Sequence, residues 1–166
     1  MKKFLLTLVS FALTLSAWAG DGDCYVTTGG GFLFPSTLNA SVGYEKELSY
    51  GNAVEVFGEI GDRWQRDPVC GKVCSDSFWK NYYWDGGILY KKNLNRYKNS
   101  LLRARIGPAC GAVTGDYFFG VEAGFEYNIM LRSGIQFSIV QKNNVNFIHG
   151  DTFRNGLLLQ VKIPIN

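Results

Sequence analysis

Residues 116–128, DYFFGVEAGFEYN, alternate without a break. Tyr117, Phe119, Val121, Ala123, Phe125 and Tyr127 form one set, and Phe118, Gly120, Glu122, Gly124 and Glu126 form the other. Successive side chains leave a pleated backbone on opposite sides, so this period predicts a strand with one apolar face and one carboxylate-bearing face. Rings stand at both ends of the apolar face, with small aliphatic residues between them. A tilted strand of roughly 9–11 residues crosses a bilayer. Rings gather where a barrel wall meets its two membrane–water interfaces.

The remainder of the chain supplies partners for such a strand. Lys2 and Lys3 precede an apolar run to Leu15, and Ser16, Ala17, Trp18 and Ala19 follow with small residues at the positions a signal peptidase reads. Residues 1–19 are therefore expected to be a cleaved secretory signal peptide. This leaves 166 − 19 = 147 residues, 20–166, for a single domain. No later apolar run approaches the roughly 18 residues of a transmembrane helix. The formal charge of +3 is scattered. A basic stripe is missing, so direct nucleic-acid binding is not expected.

Alternation marks seven further strands: 24–34, 38–47, 53–62, 79–94, 101–107, 134–141 and 156–165. Segments 63–78, 108–115 and 142–155 break the period and read as loops. The expected fold is all-β, an eight-stranded antiparallel up-and-down barrel of outer-membrane type. With both termini in the periplasm, the longest connections, 3–4 and 7–8, fall outside and the 2–3, 4–5 and 6–7 turns are short, as such barrels require.

Alternation alone leaves open whether the apolar face meets lipid or lines a cup. The charged face carries both signs: Glu55, Glu59, Asp85, Glu122 and Glu126 with Arg103, Arg105 and Lys162. In a narrow barrel these groups pair across the lumen, since buried charges persist only when paired. Trp79, Tyr82, Trp84, Tyr90, Tyr117 and Tyr127 are expected at the interfaces, and Tyr83 belongs to the same aromatic cluster. The alternative is a secreted, soluble, lipocalin-like barrel that binds a small apolar ligand.

Four cysteines, Cys24, Cys70, Cys74 and Cys110, remain after cleavage. An even count in an exported chain predicts two disulfides, with three possible pairings. A zinc site using these thiols, with Cys110 or His149 as further ligands, lacks the paired C-x-x-C spacing. The run Gly29, Gly30, Gly31 has no following Lys-Ser/Thr, so it is not a phosphate loop. His149, the single histidine, lies near Asp151, and no motif brings it to Ser133 or Ser138. Neither catalysis nor a cofactor is expected.

From Arg63 onward the chain carries CGKVCSDSFWKNYY, GGILYKKNLNR, LLRARIG, FFGVEAGFEYN and HGDTFRNGLLLQVKIPI. In this combination it resembles the TraO family of conjugal transfer proteins, encoded by conjugative transposons of Bacteroidota-type bacteria. The resemblance implies a non-enzymatic part in conjugation, in or beside the channel that exports DNA, with outer-membrane lipid and other proteins of the apparatus as partners. The region up to Asp62 matches less distinctly. The chain also ends on Ile165-Asn166, where many outer-membrane barrels carry an aromatic residue.

Overall fold

A computed structural model describes residues 23–34, 36–64, 80–147 and 153–165. Eight strands follow one another: β1 (Cys24–Phe34), β2 (Thr37–Glu47), β3 (Ala53–Arg63), β4 (Tyr82–Tyr97), β5 (Ser100–Val113), β6 (Asp116–Met130), β7 (Gln136–Asn146) and β8 (Phe153–Ile165). Each pairs antiparallel with its neighbour, and β8 returns to β1, so the sheet closes into a barrel without a free edge. The eight strands and their up-and-down order are those expected from alternation.

The stagger of the closure follows from the register. Paired residues lead from Cys24 through Lys46, Val54, Tyr90, Ile106, Ala123, Asn143 and Asn155 back to β1 at Phe34, a climb of 34 − 24 = 10 residues. Eight strands with this shift tilt by roughly 35–45° and enclose a bore that side chains alone can fill. The glycine run sits at the closing seam. A Cβ at Gly31 would lie 2.0 Å from the Leu157 carbonyl oxygen, and one at Gly29 would lie 2.5 Å from Leu159 O and Gln160 Cγ. Glycine is there for close approach of β1 to β8.

Two segments expected to be loops are strand. Residues 108–113 continue β5, and the turn is only Thr114-Gly115, with φ of 47° and 100°, flanked by the pair Val113 and Asp116. Positive φ at both turn residues matches the twist of a tight hairpin. Pro108 hid this extension. It falls where β5 has no paired residue on β4 while still opposing Val121 on β6, so its missing N–H interrupts little of the ladder. Likewise, much of 142–155 is strand, since β7 runs to Asn146 and β8 starts at Phe153. The expected strand 79–94 is shifted to Tyr82–Tyr97, with a register irregularity between Asn93 and Asn95. The turns at 98–99 and 131–135, and the 3-10 turn Ser49–Gly51, lie at the end that carries Cys24 and Ile165. The 3–4 and 7–8 connections leave from the opposite end; the first spans 18 residues, 64–81, but the second only six, 147–152, so the expectation of a long 7–8 connection is corrected.

Cysteine placement departs from expectation. Cys24 opens β1 beside Ile165, whereas Cys110 points outward from β5, between Gly86 and Phe119. Neither forms a disulfide. Two disulfides would need all four cysteines, so that expectation is corrected. β1 and β5 stand on opposite sides of the barrel, out of reach of one S–S bond. Cys70 and Cys74 lie outside the described residues.

Substituting Gly31 by Val should block seam closure. The compact, heat-modifiable gel band of a folded barrel is expected to disappear for this variant and to persist for the same change at Gly58, where an added Cβ comes no nearer than 4.0 Å to its surroundings.

Candidate functional site

The strand period sorts the side chains into an apolar outside and a charged inside. Phe119, Phe125, Phe137, Ile139, Leu157, Leu159 and Ile163 point outward and are between 47% and 68% exposed. Inward on the same strands are Glu122, Glu126, Ser138, Val140, Leu158, Gln160 and Lys162, all buried. Among the described residues the lumen holds six buried carboxylates, Glu45, Glu55, Glu59, Asp85, Glu122 and Glu126. It also holds six buried cations, Lys91, Arg103, Arg105, Lys142, Arg154 and Lys162. The formal charges cancel.

Some pairs join adjacent strands and others run across the bore, from β4 and β8 to β2 and β6 and from β7 to β3. From β4, the Lys91 ammonium reaches Glu45 at 2.5 Å, Glu126 at 2.5 Å and Glu55 at 3.0 Å. Lys162, on β8, donates to the same Glu45 (2.6 Å) and Glu126 (2.5 Å). Arg103 donates to Glu45 at 2.7 Å and to the Gly51 carbonyl at 2.8 Å. Arg105 joins this cluster to the next. Its Nη2 lies 2.6 Å from Glu122 and 3.6 Å from Glu55, and Nη1 lies 3.7 Å from Glu126. Lys142 then bridges Glu122, at 3.1 Å, and Glu59. Neutral donors occupy remaining lone pairs: Thr27 on Glu55, Asn39 on Glu59, and Asn128 on Glu126.

Oxygens of Glu45, Glu55 and Glu126 lie within 4.8 Å of one another, as a metal site would require. The Lys91 ammonium contacts all three, so the cation this trio holds is a side chain. Apolar side chains fill the gaps between charges. One buried cluster is Phe57, Leu89 and Ala109, and another is Leu33, Tyr83, Val140 and Leu158. Toward the end opposite the termini, the Arg154 guanidinium lies 4.4 Å from the Tyr83 ring centroid and 5.2 Å from that of Phe118. An apolar hollow lined by Phe32, Leu38, Ile60, Trp84 and Leu157 lies on the outside wall, not in the bore. Its lining follows the convex surface from β7 round to β4, so it is a furrow between side-chain rows, not a ligand cavity.

Of the expected lumen residues, Glu55, Glu59, Arg103, Arg105, Glu122, Glu126 and Lys162 all face inward and join the network. Asp85 also faces inward, opposite Glu59 in the register, but forms no ion pair among the described residues. Glu45, Lys91, Lys142 and Arg154 were missed. Glu45 and Lys91 continue the inward alternation of β2 and β4, a signal that was present. Lys142 and Arg154 fall in the segment expected to be a loop, because Gln141, Asn143 and Asn155 put polar residues on the outward face there and erase the period.

Tyr82, Trp84, Tyr90, Tyr117 and Tyr127 are outward and exposed, as expected of interface rings. Tyr83 is not. It is 3% exposed, turned inward over Gly61, where a Cβ would meet its ring at 2.1 Å. The small residue opposite makes room for the ring inside the bore. Trp79 and His149 lie outside the described residues. Ser138 is buried and donates to Asn128. Ser133 lies in the β6–β7 turn, at the far end of β7 from the connection that contains His149.

Removing one member of a buried pair leaves an uncompensated charge and costs about 3–5 kcal/mol. Glu126→Gln, which leaves Lys91 and Lys162 competing for Glu45 and the lumen with one cation in excess, is expected to lower unfolding stability in lipid vesicles by about this amount, as measured by urea titration. A loss of under about 1 kcal/mol, the range of exposed pairs, would contradict the buried network. Because side chains fill the bore, the reconstituted protein should add no discrete conductance steps to a planar bilayer.

No family model and no curated protein matches the chain. Its fold is similar to that of a solved structure described as a major outer membrane protein from Thermus thermophilus. The similarity has a TM-score of 0.67 over 87% of this chain and 100% of that one, at 9% identity. At that identity the likeness concerns architecture, and the architecture of this chain is that of an eight-stranded, up-and-down barrel of outer-membrane type.

Proposed function

We propose that this chain is an outer-membrane barrel serving conjugative DNA transfer as a non-enzymatic structural or accessory component of the transfer apparatus. The observation that carries the membrane part is the inverted distribution of side chains. Large apolar groups cover the outside, and six carboxylates and six cations, most of them paired, fill the inside. A soluble monomer rarely leaves a continuous apolar patch beyond about 300–600 Å² exposed. A lipid-facing wall must be apolar, and its backbone must be fully paired, as a closed sheet ensures. The architecture shared with an outer-membrane protein supports the same location.

The conjugation part rests on the resemblance to TraO-type proteins, whose landmarks fall on β4, β5, β6 and β8 and on the 3–4 and 7–8 connections. Both connections begin and end at the same end of the barrel, which supports that end as the side facing partner proteins. The soluble, ligand-binding alternative requires the opposite arrangement, with an apolar interior.

Two measurements test the two parts separately. The protein is expected in the outer-membrane fraction, with faster gel migration before heating than after; recovery as a soluble periplasmic protein would remove the membrane reading. Deleting the gene from its element should reduce DNA transfer to recipients, with recovery on complementation. An unchanged transfer frequency would remove the conjugation role and leave the barrel standing.

A further inference from the structure

The formal charge is unevenly placed. It cancels in the lumen. At the rim opposite the termini the described charges also cancel, Asp62 and Asp116 against Arg63 and Lys80. At the rim that carries the termini, among the described residues, Lys46, Lys92, Arg96, Lys98 and Arg132 stand against Asp23 and Glu47. Those two carboxylates line one notch together with Arg96, Tyr50 and Asn93. Glu47 also faces Arg103 at 3.6 Å. Lys92, Lys98 and Arg132 lie outside that notch and are exposed.

Three of these cations gather on the β4–β5 hairpin, and the other two stand apart from it on either side. Lys46 is on β2, Lys92 and Arg96 on β4, Lys98 in the β4–β5 turn, and Arg132 in the β6–β7 turn. Tyr90, Tyr97 and Tyr127, all outward, lie on the adjoining wall. The Lys98 ammonium is 5.3 Å from the Tyr97 ring centroid. Long cationic side chains lay their stems on apolar surface and carry their charge to the headgroup level, just beyond the ring belt.

We propose that this rim binds the phosphate groups of anionic glycerophospholipids in the leaflet on the terminus side, and so gathers acidic lipid around the barrel there. The proposal rests on the membrane reading above. Cations at three separate places on the rim, from β2 through the β4–β5 hairpin to the β6–β7 turn, match a plane of phosphates that runs past the wall. A compact acidic protein or a nucleic acid would instead require them on one face. Among the described residues the charge at the other rim is balanced, which confines the effect to one leaflet.

The test uses the full chain in nanodiscs of phosphatidylethanolamine mixed with phosphatidylglycerol. Lipids that stay bound are counted by native mass spectrometry. Wild-type protein is expected to retain phosphatidylglycerol several-fold over its share of the bilayer, with the excess shrinking as salt is raised, because exposed charges are screened. The triple variant K92Q/K98Q/R132Q should lose most of this excess, and K80Q, at the opposite rim, should keep it. Inorganic phosphate should not displace the lipid.

Equal retention of both lipids by the wild type, or the same excess in the triple variant, would overturn the proposal while leaving the membrane reading intact. Failure of the chain to enter bilayers at all would overturn both. A DNA duplex bound to discs of phosphatidylethanolamine alone, and lost with the same three substitutions, would overturn the lipid assignment in favour of a nucleic-acid contact.

Discussion

Lys91 stands where carboxylates from three other strands converge: Glu45 of β2, Glu55 of β3 and Glu126 of β6. Such a convergence is tolerable only if the groups are packed together and their charges cancel, because isolated burial of any one of them is prohibitive. That requirement links the parts of the fold. A stagger of ten residues over eight strands sets a bore of side-chain width, and alternation aims every second residue into it. Ionisable residues from five or more strands must then meet at the correct heights. A one-residue slip of β6 would turn Glu122 and Glu126 toward lipid and Phe125 toward the charges. The ion pairs therefore contribute more to register than to net stability, which for buried pairs is often close to neutral relative to an apolar core.

The outside obeys a simpler rule. Lipid demands apolar side chains and no unpaired backbone. The closed sheet supplies the second condition through β1–β8 pairing, for which the bare backbone at Gly29 and Gly31 is needed. Inside and outside are thus coupled by one closure. Glycine at the seam lets the last strand reach the first, and only then do Lys162 on β8 and Glu45 on β2 come within hydrogen-bonding distance.

The architecture was legible in the sequence wherever alternation was clean. β1 has the bounds read from it, and β2, β3 and β6 differ only at their ends. Reading faltered at residues whose chemistry masks period two. Pro108 concealed the second half of β5, and asparagines on both faces concealed the end of β7. Tyr83 resembled the interface rings beside it in sequence, and only its alternation with Tyr82 and Trp84 marked it as inward. The charged lumen was readable as a set of residues but not as a set of partners, because Lys91 meets Glu126 through a barrel whose stagger no local pattern encodes. The cysteine count misled for a related reason. It carries no information on which side of a closed sheet each thiol lies.

The central claim is that the face bearing Phe137, Ile139 and Val145 meets acyl chains, while Ser138, Val140 and Lys142 are sealed inside. Nitroxide scanning along β7 in lipid vesicles tests it directly, with one label at a time from Gln136 to Asn146. Collision with molecular oxygen should rise and fall with a period of two residues, highest at Phe137, Ile139 and Val145. A water-soluble relaxation agent should reach none of these three. Ready access of that agent to Phe137, Ile139 and Val145 would contradict the account, since it would place the apolar face of the barrel in water.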